Sequence, residues 1–322
     1  MSQTIKTLHL DTVREKHTQD LTGRVAAITG TTSGTGYVCA RELARLGAKV
    51  ILLNRKSGRA DAALERLQQE VPDGVFDAVV CDLQDFASVR AAAKDVLDRH
   101  DRLDILCLNA GVMALPDQAT KDGYDVQMQT NCLSHYLLTK ELFGLLKKSD
   151  DARIVSHTSM ARLGGPLEAK YFGPNGGDLG GDGDPEGGFG GPRWQRYHQT
   201  KLANCTYAFE RERRVGRAVL WNMSLLLAHP GLARTQRQVT TAKTGGMDAD
   251  SDFMKAAQSA EDGALGILRG CADPDAKSGD FFGPEKWTGF PDRIEPEALL
   301  TDPENLRIAW QGFEAAAGAF EI

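Results

Sequence analysis

Tyr197 and Lys201 stand four residues apart in "WQRYHQTKLANCTYAFERE", so in a helix they share one face, one turn apart. A phenol both gives and takes a proton, and a neighbouring ammonium stabilises the phenolate. Such a pair could protonate the alkoxide left when hydride adds to a carbonyl. The same spacing arises when the tyrosine is a packed aromatic and the lysine a solvated charge, and spacing alone leaves both readings open. Far upstream, "TGTTSGTG" sets Gly30, Gly34 and Gly36 among Thr32, Ser33 and Thr35. Glycines let a backbone turn tightly against a pyrophosphate, and a helix start offers it unpaired N–H groups. The G-x-x-x-G-x-G spacing is weak by itself. Its place between the apolar run "RVAAITG" and the helical pattern "GYVCARELARLGA" makes it a nucleotide-binding turn.

The next apolar run, "KVILLNR", ends in Asn54 and Arg55, followed by Lys56, with no carboxylate. An acid there would hold ribose hydroxyls and repel a 2'-phosphate, whereas an arginine fork suits a phosphate monoester. The expected cofactor is therefore NADP(H) rather than NAD(H). The competing reading makes Arg55 and Lys56 a solvated loop.

These residues need a frame. Apolar runs alternate with helical patterns: "FDAVVCDL", "LDILCLNAG", "ARIVSHTS" and "LWNMSLLLAHPG" read as further strands, and "YDVQMQTNCLSHYLLTKELFGLLKK" as one long helix. Alternation at this pace implies βαβ units and a doubly wound parallel sheet, a three-layer α/β/α Rossmann fold. The reading is one domain over residues 1–322, with an N-terminal extension at 1–20. Residues 163–192 hold twelve glycines and four prolines, which predicts a mobile insertion unable to bury enough apolar area to order itself. Residues 234–260 read as a substrate lid.

"TGTTSGTG", "CDL", "LNAGV", "TN", "SHTS", "YHQTK" and "HPGLART", in that order, resemble the short-chain dehydrogenase/reductase family. The resemblance implies that Asp82 and Leu83 flank an adenine, and that Asn109, Ala110 and Gly111 line the cofactor. It implies a catalytic tetrad of Asn131, Ser159, Tyr197 and Lys201, with Pro230, Gly231 and Thr235 at the nicotinamide end. In that arrangement Ser159 would donate to the developing oxyanion, with Thr158 its competitor, and Asn131 would hold a water linking Lys201 to solvent. The excursion between Ser159 and Tyr197 resembles the retinol dehydrogenase and protochlorophyllide reductase branches. "NAGVMALP" carries Met113 where the second branch has an aromatic residue, so light-dependent C=C reduction is the lesser alternative. A non-catalytic nucleotide-sensing protein on the same fold is the other.

The composition, 41% hydrophobic and 25% charged with a net charge of -6, fits a soluble globular protein and gives no basic footprint for nucleic acid. Six scattered cysteines without a C-x-x-C pair suggest neither a metal site nor a disulfide framework. No apolar stretch has the length of a membrane span, and the cytoplasm is the expected location. Met113, Leu115, Leu163 and the region Met247 to Met254 suggest an apolar small-molecule substrate. The helical faces at Met128–Leu146 and Leu202–Arg214 leave a homo-oligomer open.

Overall fold

The computed structural model of the protein describes residues 5–183, 189–219, 222–235 and 251–320. Eight strands form one sheet: β1 Val25–Thr29, β2 Lys49–Asn54, β3 Val75–Val80, β4 Ile105–Leu108, β5 Ala152–His157, β6 Met223–Ala228, β7 Phe281–Gly283 and β8 Asp292–Arg293. Their order is β3-β2-β1-β4-β5-β6-β7-β8, with every pair parallel except β7 with β8. Successive side chains of a strand face opposite ways, so each central strand feeds two cores. Ala26, Ile28, Val50, Leu52 and Cys107 face one layer, and Ala27, Ile51, Leu53 and Leu106 face the other.

The first layer is covered by the helices α1 Leu10–Lys16, α2 Gly34–Arg45 and α3 Gly58–Glu70. The second is covered by α4 Phe86–Arg99, and by α5 Val126–Met128 and α6 Ser134–Leu146, which flank a π-helical turn at Gln129–Leu133. The long helix α7 Pro192–Val219 joins that second layer. After α8 Asp252–Lys255, α9 Ala260–Ala272 returns to the first layer, and α10 Ala298–Thr301 and α11 Pro303–Ala317 end the chain on the second. Side-chain caps fix several of these starts. Asp85 accepts from the Ala87 N–H, and Asp302, just before Pro303, accepts from Glu304 and Asn305.

Two expectations are corrected here, and two strands are added. The long helix read over residues 124–148 is interrupted by the π turn, a local defect that periodicity does not reveal. Strands β7 and β8 are too short to announce themselves by pattern. The glycine-rich insertion is held down in its described part, with Leu167, Tyr171, Phe172 and Leu179 buried in the second core layer. The Asp117 carboxylate accepts from the backbone N–H groups of Gly177 (3.1 Å), Leu179 (2.7 Å) and Gly181 (2.8 Å). A glycine count misses four well-spaced apolar anchors and a buried acid that satisfies the turn. Residues 184–188 of the insertion, 236–250 of the expected lid and 1–4 of the extension lie outside the described residues.

The C-terminal helix α11 lies on α6 and α7. Phe313 stacks on Tyr136 with centroids 5.3 Å apart and meets Tyr207 at 4.7 Å, while Trp310 stacks on Tyr207 at 5.8 Å. The Tyr136 hydroxyl donates to the Gly318 carbonyl at 2.8 Å. Tyr136 and Tyr207, on the helical segments that the sequence offers for self-association, are covered from within the chain. Phe313→Ala empties the middle of this aromatic group, and urea unfolding should show a loss of about 3–5 kcal/mol.

Candidate functional site

The strand order reverses between β1 and β4, and ligands of open parallel sheets bind at the crevice opened at such a switch point. There Gly30 has φ 74°, and a Cβ on it would lie 2.9 Å from the Cα of Ala110. A Cβ on Gly36 would lie 2.3 Å from both the Asn109 amide nitrogen and the Gly30 carbonyl oxygen. Asn109 Nδ2 donates to the carbonyls of Thr29 (2.9 Å) and Gly30 (3.1 Å), and its Oδ1 accepts from the Thr35 hydroxyl at 2.9 Å. His157 Nδ1 stands 2.9 Å from the same Oδ1. Ser33 caps α2 without a side-chain bond to the helix, which leaves that helix start available to an anion. Thr32 lies half-buried beside it.

Across the turn, Asn54 Oδ1 accepts from the Thr31 N–H and its Nδ2 donates to the Thr31 hydroxyl, both at 2.8 Å. Asn54 therefore braces the turn. Arg55 and Lys56 are exposed, and their side chains pair with no other described residue. Asp82 closes its own loop by accepting from the Gln84 N–H at 3.0 Å, and Leu83 is buried beside it. Thr235 comes against the glycine turn, since a Cβ on Gly34 would be 3.2 Å from the Thr235 side chain. Gly231, at φ 60°, faces the Trp287 carbonyl, and the Pro230 carbonyl accepts from Gln258 Nε2 at 2.8 Å.

Tyr197 and Lys201 are both buried on α7, and Lys201 Nζ lies 5.7 Å from the Tyr197 ring centroid. Nζ donates to the His157 carbonyl at 3.1 Å. A Cβ on Gly111 would lie 3.6 Å from that Nζ and 3.1 Å from Asn131 Oδ1, so the absence of a side chain at 111 brings the β4 exit loop onto both groups. Asn131 sits in the π turn. Its Oδ1 accepts from the Val112 N–H at 2.7 Å, and its Nδ2 donates to the Val112 carbonyl (2.9 Å) and the Thr200 hydroxyl (3.0 Å). Both ends of this side-chain amide thus fasten the loop to α7.

Thr158 and Ser159 are told apart by their partners. The Thr158 hydroxyl is buried and donates to the Lys201 carbonyl at 2.7 Å. Ser159 is half-buried and only accepts, from the Ala161 N–H at 3.3 Å, so its proton remains to be given. Arg162, itself buried, holds the Ser159 carbonyl at 3.2 Å and forks onto Glu297.

Apolar groups surround the phenol. Met113, Ala114 and Trp194 pack with Tyr197, and Ala114 takes φ 49°, a left-handed conformation that costs an alanine about 1–2 kcal/mol. Leu115 is half-buried nearby, and Leu163 is exposed. Met254 packs away with Leu232 and Ala257, and Met247 lies outside the described residues.

Sequence reading missed two groups of positioning residues. Arg196, next to Tyr197 and fully buried, donates to the carbonyls of Gly181 (2.8 Å) and Leu115 (3.2 Å) and lies 3.3–3.5 Å from the carboxylates of Asp117, Asp125 and Asp182. It ties the insertion, the loop after β4 and the start of α5 to the helix carrying Tyr197. A charge beside a tyrosine is visible in sequence, but its burial is not. The second group centres on His135. Its Nδ1 meets the Asn131 carbonyl at 3.0 Å, and its Nε2 meets the Thr29 hydroxyl at 2.9 Å, which in turn accepts from the Ala110 N–H at 3.0 Å. Burial holds His135 at about 4, so the ring is neutral; Nδ1–H donates and Nε2 accepts.

The sequence pattern of the family described as short chain dehydrogenase matches residues 24–172. Retinol dehydrogenase 14 of Mus musculus is 37% identical over 223 residues, which are 66% of this chain and 62% of the mouse protein. A short-chain dehydrogenase/reductase of Armillaria gallica is 36% identical over 68% of either chain. Among solved structures, a protein of Mycobacterium paratuberculosis superposes with a TM-score of 0.72 at 29% identity, covering 95% of this chain and 97% of its own. A short chain dehydrogenase of Shigella flexneri complexed with NADP superposes at 0.57 and 21% identity over 82% of this chain and 98% of its own, which speaks for the fold. Among the described residues, no helix is long and apolar enough to cross a membrane.

The buried histidine sets an acid limit on stability. Unfolded, it takes a proton near its ordinary value of about 6.5, whereas the native ring does so only at about 4. Stability is therefore whole above pH 6.5 and is lost as pH falls from there toward 4, by on the order of 3 kcal/mol from this group. Urea unfolding at pH 7 and at about pH 4.5 should show the loss, and His135→Gln should reduce it, leaving the share of His229, which burial holds at about 3. Gly36→Ala drives a methyl into Asn109 and the Gly30 carbonyl and should cost about 1–3 kcal/mol in the same assay.

Proposed function

The chain belongs to the short-chain dehydrogenase family, and on that premise we propose that it is an NADP(H)-dependent oxidoreductase interconverting a carbonyl and an alcohol on an apolar substrate. The observation that carries this reading is the buried Tyr197–Lys201 pair at the crevice mouth, with the unspent proton of Ser159 on the neighbouring strand end. The glycine turn supports a pyrophosphate, because its backbone leaves no room for side chains at Gly30 and Gly36. Arg55 and Lys56, exposed and without a side-chain partner among the described residues, support a 2'-phosphate over a bare ribose.

When bound, the nicotinamide supplies or accepts the hydride. The chain's own residues manage the proton. In the reducing direction the Tyr197 hydroxyl gives its proton to the carbonyl oxygen of the substrate, and in the oxidising direction the phenolate takes it back. Lys201, held by the His157 carbonyl, presents its ammonium toward that phenol and stabilises the anion left behind. Ser159 donates a hydrogen bond to the same substrate oxygen as negative charge develops on it. Asn131 keeps the loop after β4 against α7, which fixes the distance between Gly111 and Lys201. Met113 and Trp194 wall the phenol with apolar surface, which favours an apolar body beside the reacting carbonyl.

A panel of apolar aldehydes and ketones, followed by NADPH absorbance, tests the reading. Tyr197→Phe should lower kcat by about 100-fold or more while leaving NADPH affinity within a few-fold. NADPH binding with no turnover of any carbonyl above the Tyr197→Phe background would reject it. Arg55→Ala should lower kcat/KM with NADPH by about 10-fold and leave NADH unchanged, the loss expected of one charged hydrogen bond. Equal effects on the two cofactors would remove the phosphate assignment.

A further inference from the structure

Cys39 on α2, Cys107 on β4 and Cys271 on α9 are far apart in sequence, so no spacing motif joins them. The fold brings their sulfurs within 4.8 Å of one another, and all three side chains are buried. Two other buried cysteines behave as ordinary core thiols: Cys132 and Cys205 give their S–H groups to the carbonyls of Thr200 and Lys201. The three thiols of the cluster face one another instead. A thiol that only filled space would need no such convergence from three separate elements.

We propose that Cys39, Cys107 and Cys271 form a binding site for a thiophilic divalent metal ion of the zinc and cadmium type. A Zn–S bond of about 2.3 Å sets the sulfurs of a tetrahedral site about 3.8 Å apart, so a contraction of under about 1 Å closes the cluster around an ion. Each thiol yields its proton to solvent as it becomes a ligand, and three thiolates with one divalent ion carry a net charge of -1. A cationic group stands close by: Arg153 lines, together with Cys271, a polar cavity of about 30 Å³ near the starts of β1, β4 and β5. That cavity is large enough for a water, which supplies the fourth ligand and a way in from the surface. The site lies under α2 and beside β4, on the elements that carry the glycine turn and Asn109. It is separate from the crevice, and its existence does not depend on the proposed oxidoreductase activity.

The test uses the full chain, stripped of metal and kept reduced with a phosphine, titrated with Cd²⁺. The expected result is a thiolate-to-cadmium charge-transfer band that saturates at one ion per chain, with proton release, tighter binding at higher pH and a Tm that rises with Cd²⁺. Cys39→Ser, Cys107→Ser and Cys271→Ser should each weaken binding by more than about 100-fold, the upper end of what loss of an outer-shell partner costs. Cys81→Ser should not. X-ray absorption at the cadmium edge counts the sulfurs in the unmodified chain, so the result survives variants that do not fold. No charge-transfer band, fewer than three sulfurs around cadmium, or a band unchanged in all three variants would overturn the proposal.

Discussion

Asn109 closes a backbone turn that has no room for a side chain, and the crevice exists because of that closure. Its amide holds two successive carbonyls at the end of β1 while its carbonyl oxygen takes the first turn of α2 and faces His157 at the end of β5. One side chain thereby sets three elements around the start of α2, where Ser33 makes no side-chain bond to the helix. Buried amides of this kind contribute modest net stability, but an unpaired one is costly, so the arrangement has little freedom to be otherwise.

A second set of buried polar groups braces the elements around Tyr197 and Lys201. Asn131 and His135, both in or beside the π turn, reach Val112, Thr200 and Thr29, so the helix after β4, the helix carrying Tyr197 and the first strand are fixed to each other by direct hydrogen bonds. Arg196 and Arg162 do the same for the insertion and the serine loop. A buried guanidinium facing several acids and carbonyls is weak evidence for stability, since desolvation offsets most of the attraction. What it does supply is direction: five donors in a rigid fork fix where the chain segments around it lie.

The insertion and the C-terminal helix show how peripheral segments become structural. The first supplies four apolar anchors to the core, and the second lays Trp310 and Phe313 across Tyr136 and Tyr207. Both segments join the core cluster that includes α6 and α7.

Local signals determined much of this from sequence. Strand and helix periods, the glycine turn and the Tyr197–Lys201 spacing depend on neighbours within a few residues, and they located six of the eight strands and the glycine turn at the switch point of the sheet. The same signals failed where distant residues decide. The π turn, the pinned insertion, the engagement of Asn131 with Val112 and the meeting of Cys39, Cys107 and Cys271 each rest on partners from separate elements. Burial and hydrogen-bond partnership are properties of three-dimensional neighbours, and a linear pattern carries no record of which distant group arrives.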